Sequence, residues 1–269
     1  MLHLVARTRD RALLAPSAEE MCGLFHTLRE AVPQLEALCV LLDHLHAITP
    51  RDERRALAAA LSGYTRGRNL RRGEDGPLFE PLPDAVPIAD PGKVRTGVRY
   101  VHLNPCRARL VADPLAWPWS SHLDAVGLTP DPVRPKVRNV LEFHGYVSAD
   151  PTVNVEGTEL PTVPRGDVPL VGLLAAASVA FRVPAERLLQ HRGPARDHFL
   201  AAARAYSGQS GRAIAAFAGV SERTVYRDAV QARPELAALA ADPRIAMLDE
   251  AWYGQVVRRW RVRPAFHRG

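Results

Sequence analysis

The chain has 269 residues, 47% of them hydrophobic, and a formal net charge of +6. This is enough apolar material for a core and enough length for two domains. The basic balance favours a polyanionic partner such as nucleic acid, although a GC-rich genome produces the same arginine bias. The longest apolar run, residues 168–181, is shorter than the about 20 residues that span a bilayer, so we expect no membrane association.

The first forty residues predict a strand followed by a helix. Residues 2–8 alternate weakly, as in a strand, and no signal peptide is visible before them. Ser17 and Glu20 form a capping box that opens a helix, and Pro33 ends it. The three cysteines of the chain match no zinc-binding spacing, so we expect buried free thiols in a reducing cytoplasm.

Two histidines mark the next part of the chain. The apolar run 36–42 and the segment around His44 and His46 predict a hairpin. Because side chains alternate faces along a strand, both imidazoles point the same way and can chelate a divalent ion. With ten histidines in the chain, the spacing also arises by chance, and the pair would then belong to the core. Asp43 either orients an imidazole or shapes the turn, and we favour the turn.

A second helix is predicted to begin near Pro50, and a basic loop is predicted from Gly63 to Gly92. Arginines interleaved with Tyr64 can hold single-stranded nucleic acid through phosphate contacts and base stacking. The alternative is an ordinary solvated loop. The arginines are Arg66, Arg68, Arg71 and Arg72. The order strand–helix–strand–strand–helix predicts an α+β fold with an antiparallel sheet and helices.

A tyrosine and an asparagine lie on the third predicted helix. This helix covers residues 93–104 and is predicted to end before Pro105, since a proline disfavours helical geometry in the preceding residue. Tyr100 and Asn104 are four residues apart, so both side chains emerge on one face. A phenol beside a carboxamide is compatible with a nucleophile beside a metal ligand. The alternative is a buried tyrosine and an asparagine that caps the helix.

The segment Trp117–Ser121 contains two tryptophans around Pro118, and it is predicted to pack rather than to react. The motifs 44–46, 100–105 and 117–121, in this order, resemble the single-tyrosine HUH transposases. The branch they resemble is that of the REP-associated tyrosine transposases, related to the insertion-sequence-200 type. The first strand from His3 and the loop 76–80 also resemble this family, over residues 1–147 in all. The segment 81–87 departs from it, because it lacks the usual basic residues.

The resemblance implies a ferredoxin-like HUH domain over residues 1–128. It implies that Tyr100 attacks single-stranded DNA at a hairpin-forming element and forms a 5′-phosphotyrosyl bond. It further implies that His44, His46 and Asn104 hold Mg²⁺ or Mn²⁺. The expected activity is that of a metal-dependent single-strand DNA endonuclease and strand transferase.

Residues 129–166 are rich in proline and predict a semi-rigid linker, interrupted by an apolar segment, 137–147, that is expected to dock. Beyond the linker, residues 167–269 predict an all-helical domain. Its first helices are expected at 168–183, from 184 onward and at 196–206.

The stretch 210–227 has the pattern of a helix-turn-helix. Ile214 and Phe217 are predicted to face the core, Gly219 permits the turn, and Ser221 caps the second helix. The layout resembles the DNA-binding domain of bacterial replication initiators of the DnaA kind, which implies binding to duplex DNA; the alternative is a plain three-helix packing unit. The residues predicted to face the groove are Arg223, Thr224 and Arg227.

Two functions remain open on these observations. The first is a cytoplasmic DNA-cleaving enzyme with a separate duplex-binding domain, either a monomer or a homodimer. The second is a catalytically silent DNA-binding regulator that keeps the nuclease fold as a scaffold and works through the helix-turn-helix.

Overall fold

The computed structural model describes residues 1–130, 137–227 and 230–262, apart from the side chain of Arg227. The chain forms two compact units, and part of the predicted linker, 131–136, lies outside the described residues. The first unit comprises Met1–His122, Tyr146–Glu156 and Gln255–Gly269, and the second comprises Leu123–Gly145 and Gly157–Gly254. The domain limits at residues 128 and 166 stay a prediction.

The first unit is built on a four-stranded antiparallel sheet. Its strands are β1 (Leu2–Arg7), β2 (Ala37–Val40), β3 (His44–Thr49) and β4 (Val86–Pro87). They lie in the order β2-β3-β1-β4. Strand β1 pairs with β3 so that Val5 lies opposite His46 and Arg7 lies opposite His44. The expected mixed fold with an antiparallel sheet and helices is therefore confirmed.

Alpha-helices make up most of the other regular structure of the described residues, in both units. They are α1 (Ala18–Ala31), α2 (Arg54–Arg72), α3 (Pro91–Arg107), α4 (His122–Ala125), α5 (Val140–Ser148), α6 (Leu170–Phe181), α7 (Ala185–Gln190), α8 (Pro194–Tyr206), α9 (Gly211–Ala218), α10 (Glu222–Arg227), α11 (Pro234–Ala241) and α12 (Glu250–Arg261). None of those in the described ranges combines the length and the apolar character that a bilayer crossing requires.

Helix α1 begins where the capping box predicted it. The Ser17 hydroxyl oxygen accepts a hydrogen bond from the Glu20 backbone N–H at 3.1 Å, which satisfies one of the unpaired donors of the first turn. The helix ends at Ala31, before Pro33. Its buried stripe includes Met21, Phe25 and Leu28 and packs against α2.

The predicted loop from Gly63 begins later than expected, because α2 continues to Arg72 and ends at Gly73 with a left-handed φ of +63°. A glycine inside a helix costs only about 1 kcal/mol. Burial of Leu57, Leu61 and Thr65 at helical spacing along α2 offsets this cost. The four predicted arginines therefore lie on a helix.

The predicted end of α3 at Asn104 is wrong. The helix begins at Pro91, after the Asp90 carboxylate accepts a bond from the Gly92 N–H at 2.8 Å, and it runs through Pro105 to Arg107. Pro105 lies in the last turn, where its missing N–H removes a single helical bond. The turn then closes with the Ala108 N–H donating to the Asn104 carbonyl at 2.8 Å.

The two tryptophans pack as expected. Trp117 Nε1 donates to the Val40 carbonyl at 2.9 Å and Trp119 Nε1 contacts Cys22 Sγ at 3.4 Å, while their ring centres lie 5.0 Å apart at 81°. All three cysteines are buried and none forms a disulfide among the described residues, which confirms that part of the prediction. Burial raises the pKa of the Cys39 and Cys106 thiols, so these two thiols stay protonated and unreactive.

In the second unit, α9 and α10 pack against each other and against α8. Gly219 ends α9 with a left-handed φ of +64°, and the Ser221 hydroxyl accepts from the Thr224 N–H at 3.2 Å. Ile214 is buried, but Phe217 is 39% exposed, which corrects the prediction that both face the core. The small residues Ala215 and Ala218 fill that stripe instead.

A buried histidine in the second unit makes stability depend on pH. His144, on α5, has its pKa lowered to about 4, mainly by burial and further by the charge of Arg244. The unfolded chain therefore binds this proton more readily than the folded one between about pH 6.5 and pH 4. We expect the free energy of unfolding to fall by about 2 kcal/mol as pH drops through this range.

Urea unfolding at pH 7 and at pH 4.5 measures this effect, and the variant His144→Gln isolates it from other titrating groups. The difference in stability between the two pH values should be smaller in the variant than in the wild type. Equal pH dependence in both proteins would show that His144 is not responsible.

Candidate active site

The two histidines of β3 lie on one face of the sheet. His44 and His46 have ring centres 5.1 Å apart at 82°. A third imidazole shares this surface, because His3 on β1 stacks on His46 with ring centres 5.2 Å apart. His3 had no predicted role. Its signal in the sequence was a histidine on a first strand, which is uninformative until the register of β1 and β3 is known.

Each imidazole of the pair has a hydrogen-bonding partner at Nδ1. His44 Nδ1 lies 2.6 Å from the Asp43 carboxylate, and His46 Nδ1 lies 3.0 Å from His3 Nε2. Such partners fix the ring orientation of a metal-binding histidine and leave Nε2 as its ligand atom. Asp43 therefore contacts an imidazole as well as forming the turn, which corrects the interpretation that favoured the turn alone.

The pKa values of these groups suit that arrangement. Burial alone would raise the pKa of Asp43, but the hydrogen bond with His44 and the charges of His44 and Arg11 lower it overall. Burial first, and then the charges of His44, His3 and Arg7, hold the pKa of His46 well below its usual range. Near neutral pH, His46 is therefore uncharged, and an uncharged imidazole is the form that binds a metal ion.

Tyr100 lies on α3 against these histidines. Its ring centre is 5.5 Å from that of His46, with the rings nearly perpendicular at 89°, and its side chain is 38% exposed. Gly97 permits this approach, since a Cβ there would lie only 3.2 Å from Ile48 Cδ1 and 3.3 Å from Ile88 Cδ1. A partly exposed phenol therefore lies next to the histidine pair.

Tyr64, the tyrosine of α2, lies in a different environment. Its hydroxyl donates to the Leu14 carbonyl at 2.8 Å, and burial raises its pKa. A partly buried phenol that donates its proton to a backbone carbonyl is a poor nucleophile. Tyr100 is the better placed of the two.

Asn104, one turn after Tyr100, has a buried side chain. Its Nδ2 has no hydrogen-bonding partner among the residues that the structure describes. Rotation of the amide by half a turn would place the oxygen where the nitrogen now lies, and a carboxamide oxygen is a suitable ligand for Mg²⁺ or Mn²⁺. Within the described ranges, no group of three His, Cys, Asp or Glu side chains is arranged to hold a metal ion.

The four arginines predicted to bind nucleic acid mostly contact carboxylates of the protein itself. Arg68 and Arg72 both bind the Glu74 carboxylate, and Arg71 lies 3.6 Å from Glu20. Arg66 is exposed and donates to Ser62 at 3.2 Å. These contacts reduce the charge that this part of α2 can offer to a phosphate.

The predicted groove-facing residues of the second unit lie on α10. Arg223 is exposed, whereas Thr224 is partly buried and its hydroxyl lies 2.9 Å from that of Ser221. The side chain of Arg227 lies outside the described residues. Arg223 is therefore accessible to solvent, and contact of these residues with DNA stays a prediction.

No family description matches the chain, and no curated protein is similar to it at a significant level. Among solved structures, the chain is similar to a REP-associated tyrosine transposase bound to a REP hairpin. The likeness covers 52% of this chain and 86% of that chain, with 18% sequence identity and a TM-score of 0.37. Similarity at this level is distant, and what the site can do follows from its own residues.

Proposed function

We propose that the first unit is a single-strand DNA endonuclease and strand transferase in which Tyr100 is the nucleophile. The observation that supports this best is that the partly exposed ring of Tyr100 packs against the histidine pair. Its centre lies 5.5 Å from that of the His46 ring, and the Nδ1 atoms of both histidines already have hydrogen-bonding partners. The order β-α-β-β-α-β of the first elements also agrees with the ferredoxin-like domain that the sequence resemblance implies.

The proposed reaction is a transesterification. The Tyr100 oxygen forms a bond to phosphorus, and the bond from phosphorus to the 3′ oxygen breaks. The phenol loses its proton and the departing 3′ oxygen gains one, so the products are a 5′-phosphotyrosyl bond and a free 3′-OH. The covalent bond conserves the energy of the phosphodiester for rejoining, and no water molecule is consumed.

A protonated phenol is a weak nucleophile, so negative charge on the phosphate has to be neutralised during attack. A divalent ion bound by His44, His46 and Asn104 would supply that neutralisation. Within the protein, Asp43 and His3 orient the two imidazoles, and the buried carboxamide of Asn104 has an unmet hydrogen-bonding capacity.

The proposal is tested by incubating the full chain with Mn²⁺ and a hairpin oligonucleotide that carries a label 3′ of the cleavage point. We expect a labelled species of increased mass after denaturing electrophoresis, which a nuclease should reduce to a nucleotide bound to Tyr100 in peptide mass spectra. EDTA should prevent its formation. A hairpin that is bound but never becomes covalently attached would contradict the proposal.

A second candidate function is a DNA-binding regulator that does not cleave. It is favoured by the exposed Arg223 on α10 in a helix-turn-helix arrangement, and by the pairing of Arg68 and Arg72 with Glu74. The same oligonucleotide experiment distinguishes the two, because a regulator binds duplex DNA and forms no adduct.

Binding of duplex DNA is expected to depend on Arg223. Loss of one base or phosphate contact typically costs about 1–3 kcal/mol, so Arg223→Ala should weaken duplex binding about tenfold or more. Fluorescence anisotropy at low salt measures this, and Arg192→Ala, an exposed arginine outside α9 and α10, is the matched control. Equal losses in the two variants would indicate general charge attraction and not recognition by α10.

A further inference from the structure

The face of α3 that carries Tyr100 extends further than the sequence suggests. Since α3 passes through Pro105, Tyr100, Asn104 and Arg107 stand at positions i, i+4 and i+7 of one continuous helix. The guanidinium carbon of Arg107 lies 5.2 Å from the centre of the Tyr100 ring. A cationic group suited to phosphate therefore lies directly beside the candidate nucleophile.

A buried carboxylate holds this arginine in place. Arg107 Nη2 donates to Asp150 Oδ2 at 2.9 Å, and Arg99 Nε lies 3.4 Å from the same oxygen. The other oxygen of Asp150 accepts from the backbone N–H and the hydroxyl of Thr152, at 2.9 and 2.6 Å. The Asp150 side chain is 5% exposed and that of Arg107 is 31% exposed, so the carboxylate is buried while the arginine side chain is partly exposed.

The charges at this position leave a capacity for a second anion. Burial alone would raise the pKa of Asp150, but the Thr152 hydrogen bonds and the charges of Arg107 and Arg99 lower it overall, so the carboxylate is ionised. Two guanidinium groups thus share one carboxylate. In the described part of the chain, Arg107 uses one of the N–H groups of its fork on Asp150, and an arginine fork has five.

We propose that Arg107, positioned by Asp150 and supported by Arg99, binds the backbone phosphate that Tyr100 attacks. The ligand of this subsite is a phosphodiester of single-stranded DNA, recognised by two-pronged hydrogen bonding and by charge. This proposal rests on the proposed function. Arg107 neutralises charge on the phosphate in the transition state, while Asp150 is a positioning residue that never touches the substrate.

The first test measures the rate of adduct formation under single-turnover conditions with the full chain, Mn²⁺ and a labelled hairpin. Arg107→Gln should lower the rate constant by about 100-fold or more, which is the usual effect of removing one group that stabilises transition-state charge. Arg107→Lys should lose less, because it keeps the charge but not the fork. The control is Arg95→Gln, which makes the same exchange at another arginine of α3. Arg95 stacks on Tyr146 instead of Tyr100, and its guanidinium carbon lies 4.2 Å from the centre of the Tyr146 ring.

The second test does not depend on cleavage. In a Tyr100→Phe background, Arg107→Gln should reduce the slope of log affinity against log salt concentration for a single-stranded oligonucleotide by about 0.7, the value for one phosphate contact. If the wild-type chain forms no adduct but this slope changes, the proposed activity fails and the phosphate subsite stands. If adducts form and Arg107→Gln changes neither the rate nor the slope, the subsite is refuted and the activity stands.

Two further variants distinguish direct contact of Arg107 with the phosphate from a purely structural role of this arginine. Asp150→Asn keeps the shape of the anchor and should lower the rate about tenfold by releasing Arg107, with little change in the melting temperature. In Arg107→Ala, added methylguanidine should restore part of the lost rate, since it can occupy the vacated place. Absence of rescue in a variant that melts like the wild type would count against direct phosphate contact.

Discussion

Replacing Tyr100 with phenylalanine is expected to abolish covalent attachment of the protein to DNA. The variant keeps the ring that packs against His46 but lacks the oxygen that attacks phosphorus, so adduct formation should fall by about 10⁴-fold or more. Binding of the hairpin should change little, because the lost hydroxyl takes part in the reaction and not in DNA binding. Adduct yield on denaturing gels and affinity by anisotropy give the two quantities separately.

Tyr64→Phe is the matched control for this prediction. It removes the hydroxyl that donates to the Leu14 carbonyl at 2.8 Å, which should cost about 1 kcal/mol of stability and leave the adduct unchanged. If Tyr100→Phe still forms adducts at the wild-type rate, the nucleophile is another residue. Loss of adducts in Tyr64→Phe, with Tyr100→Phe active, would identify Tyr64 instead.

Replacing either histidine of the pair with alanine is expected to remove binding of the divalent ion. Loss of one of three ligands should weaken Mn²⁺ affinity by about 100-fold or more, since even outer partners of a ligand contribute 10- to 100-fold. Isothermal titration calorimetry or electron paramagnetic resonance of Mn²⁺ measures this without reference to cleavage. DNA cleavage should be lost in parallel.

The matched control is His191→Ala, which alters an exposed histidine of the second unit. Circular dichroism should show that His44→Ala and His46→Ala remain folded, because His44 is the partly exposed first residue of β3 and a small cavity at His46 costs only about 1–3 kcal/mol. Unchanged Mn²⁺ binding in both variants would mean that the pair belongs to the core and that the metal, if any, binds elsewhere.

Local signals in the sequence predicted local structure well. Ser17 and Glu20 define the start of α1, and Gly219 defines the turn after α9. In each case the determining interaction joins residues close in sequence or depends on one backbone angle. Such features follow from propensity and hydrogen bonding without knowledge of the tertiary fold.

The errors arose where tertiary burial outweighs a local preference. Pro105 and Gly63 both predict the end of a helix, yet α3 and α2 continue past them. A proline in the last turn removes one hydrogen bond, and a glycine costs about 1 kcal/mol. Burial of leucine-sized side chains at about 1.5–3 kcal/mol each compensates for either.

The residues that contact the candidate-site side chains could not be predicted from the sequence, for a different reason. His3 meets His46, and Asp150 meets Arg107, each across more than forty residues of chain. Nothing in the spacing of such residues signals contact until the strand register and the course of the chain after α5 are known. The pair Tyr100 and Asn104 was accessible because it lies within one helical turn.

Both margins of the sheet carry features that hinder the addition of a further strand. At one margin, β4 has two residues and the second is Pro87, which has no N–H to offer a neighbour. At the other, the Val40 N–H donates to the Trp119 carbonyl at 2.9 Å and the Ser121 N–H donates to the Leu38 carbonyl at 2.8 Å. Within the part of the chain that the structure describes, an incoming strand therefore finds few open donors and acceptors along these two margins. We accordingly expect a homodimer of this protein to assemble through helices or loops rather than by pairing of sheet edges.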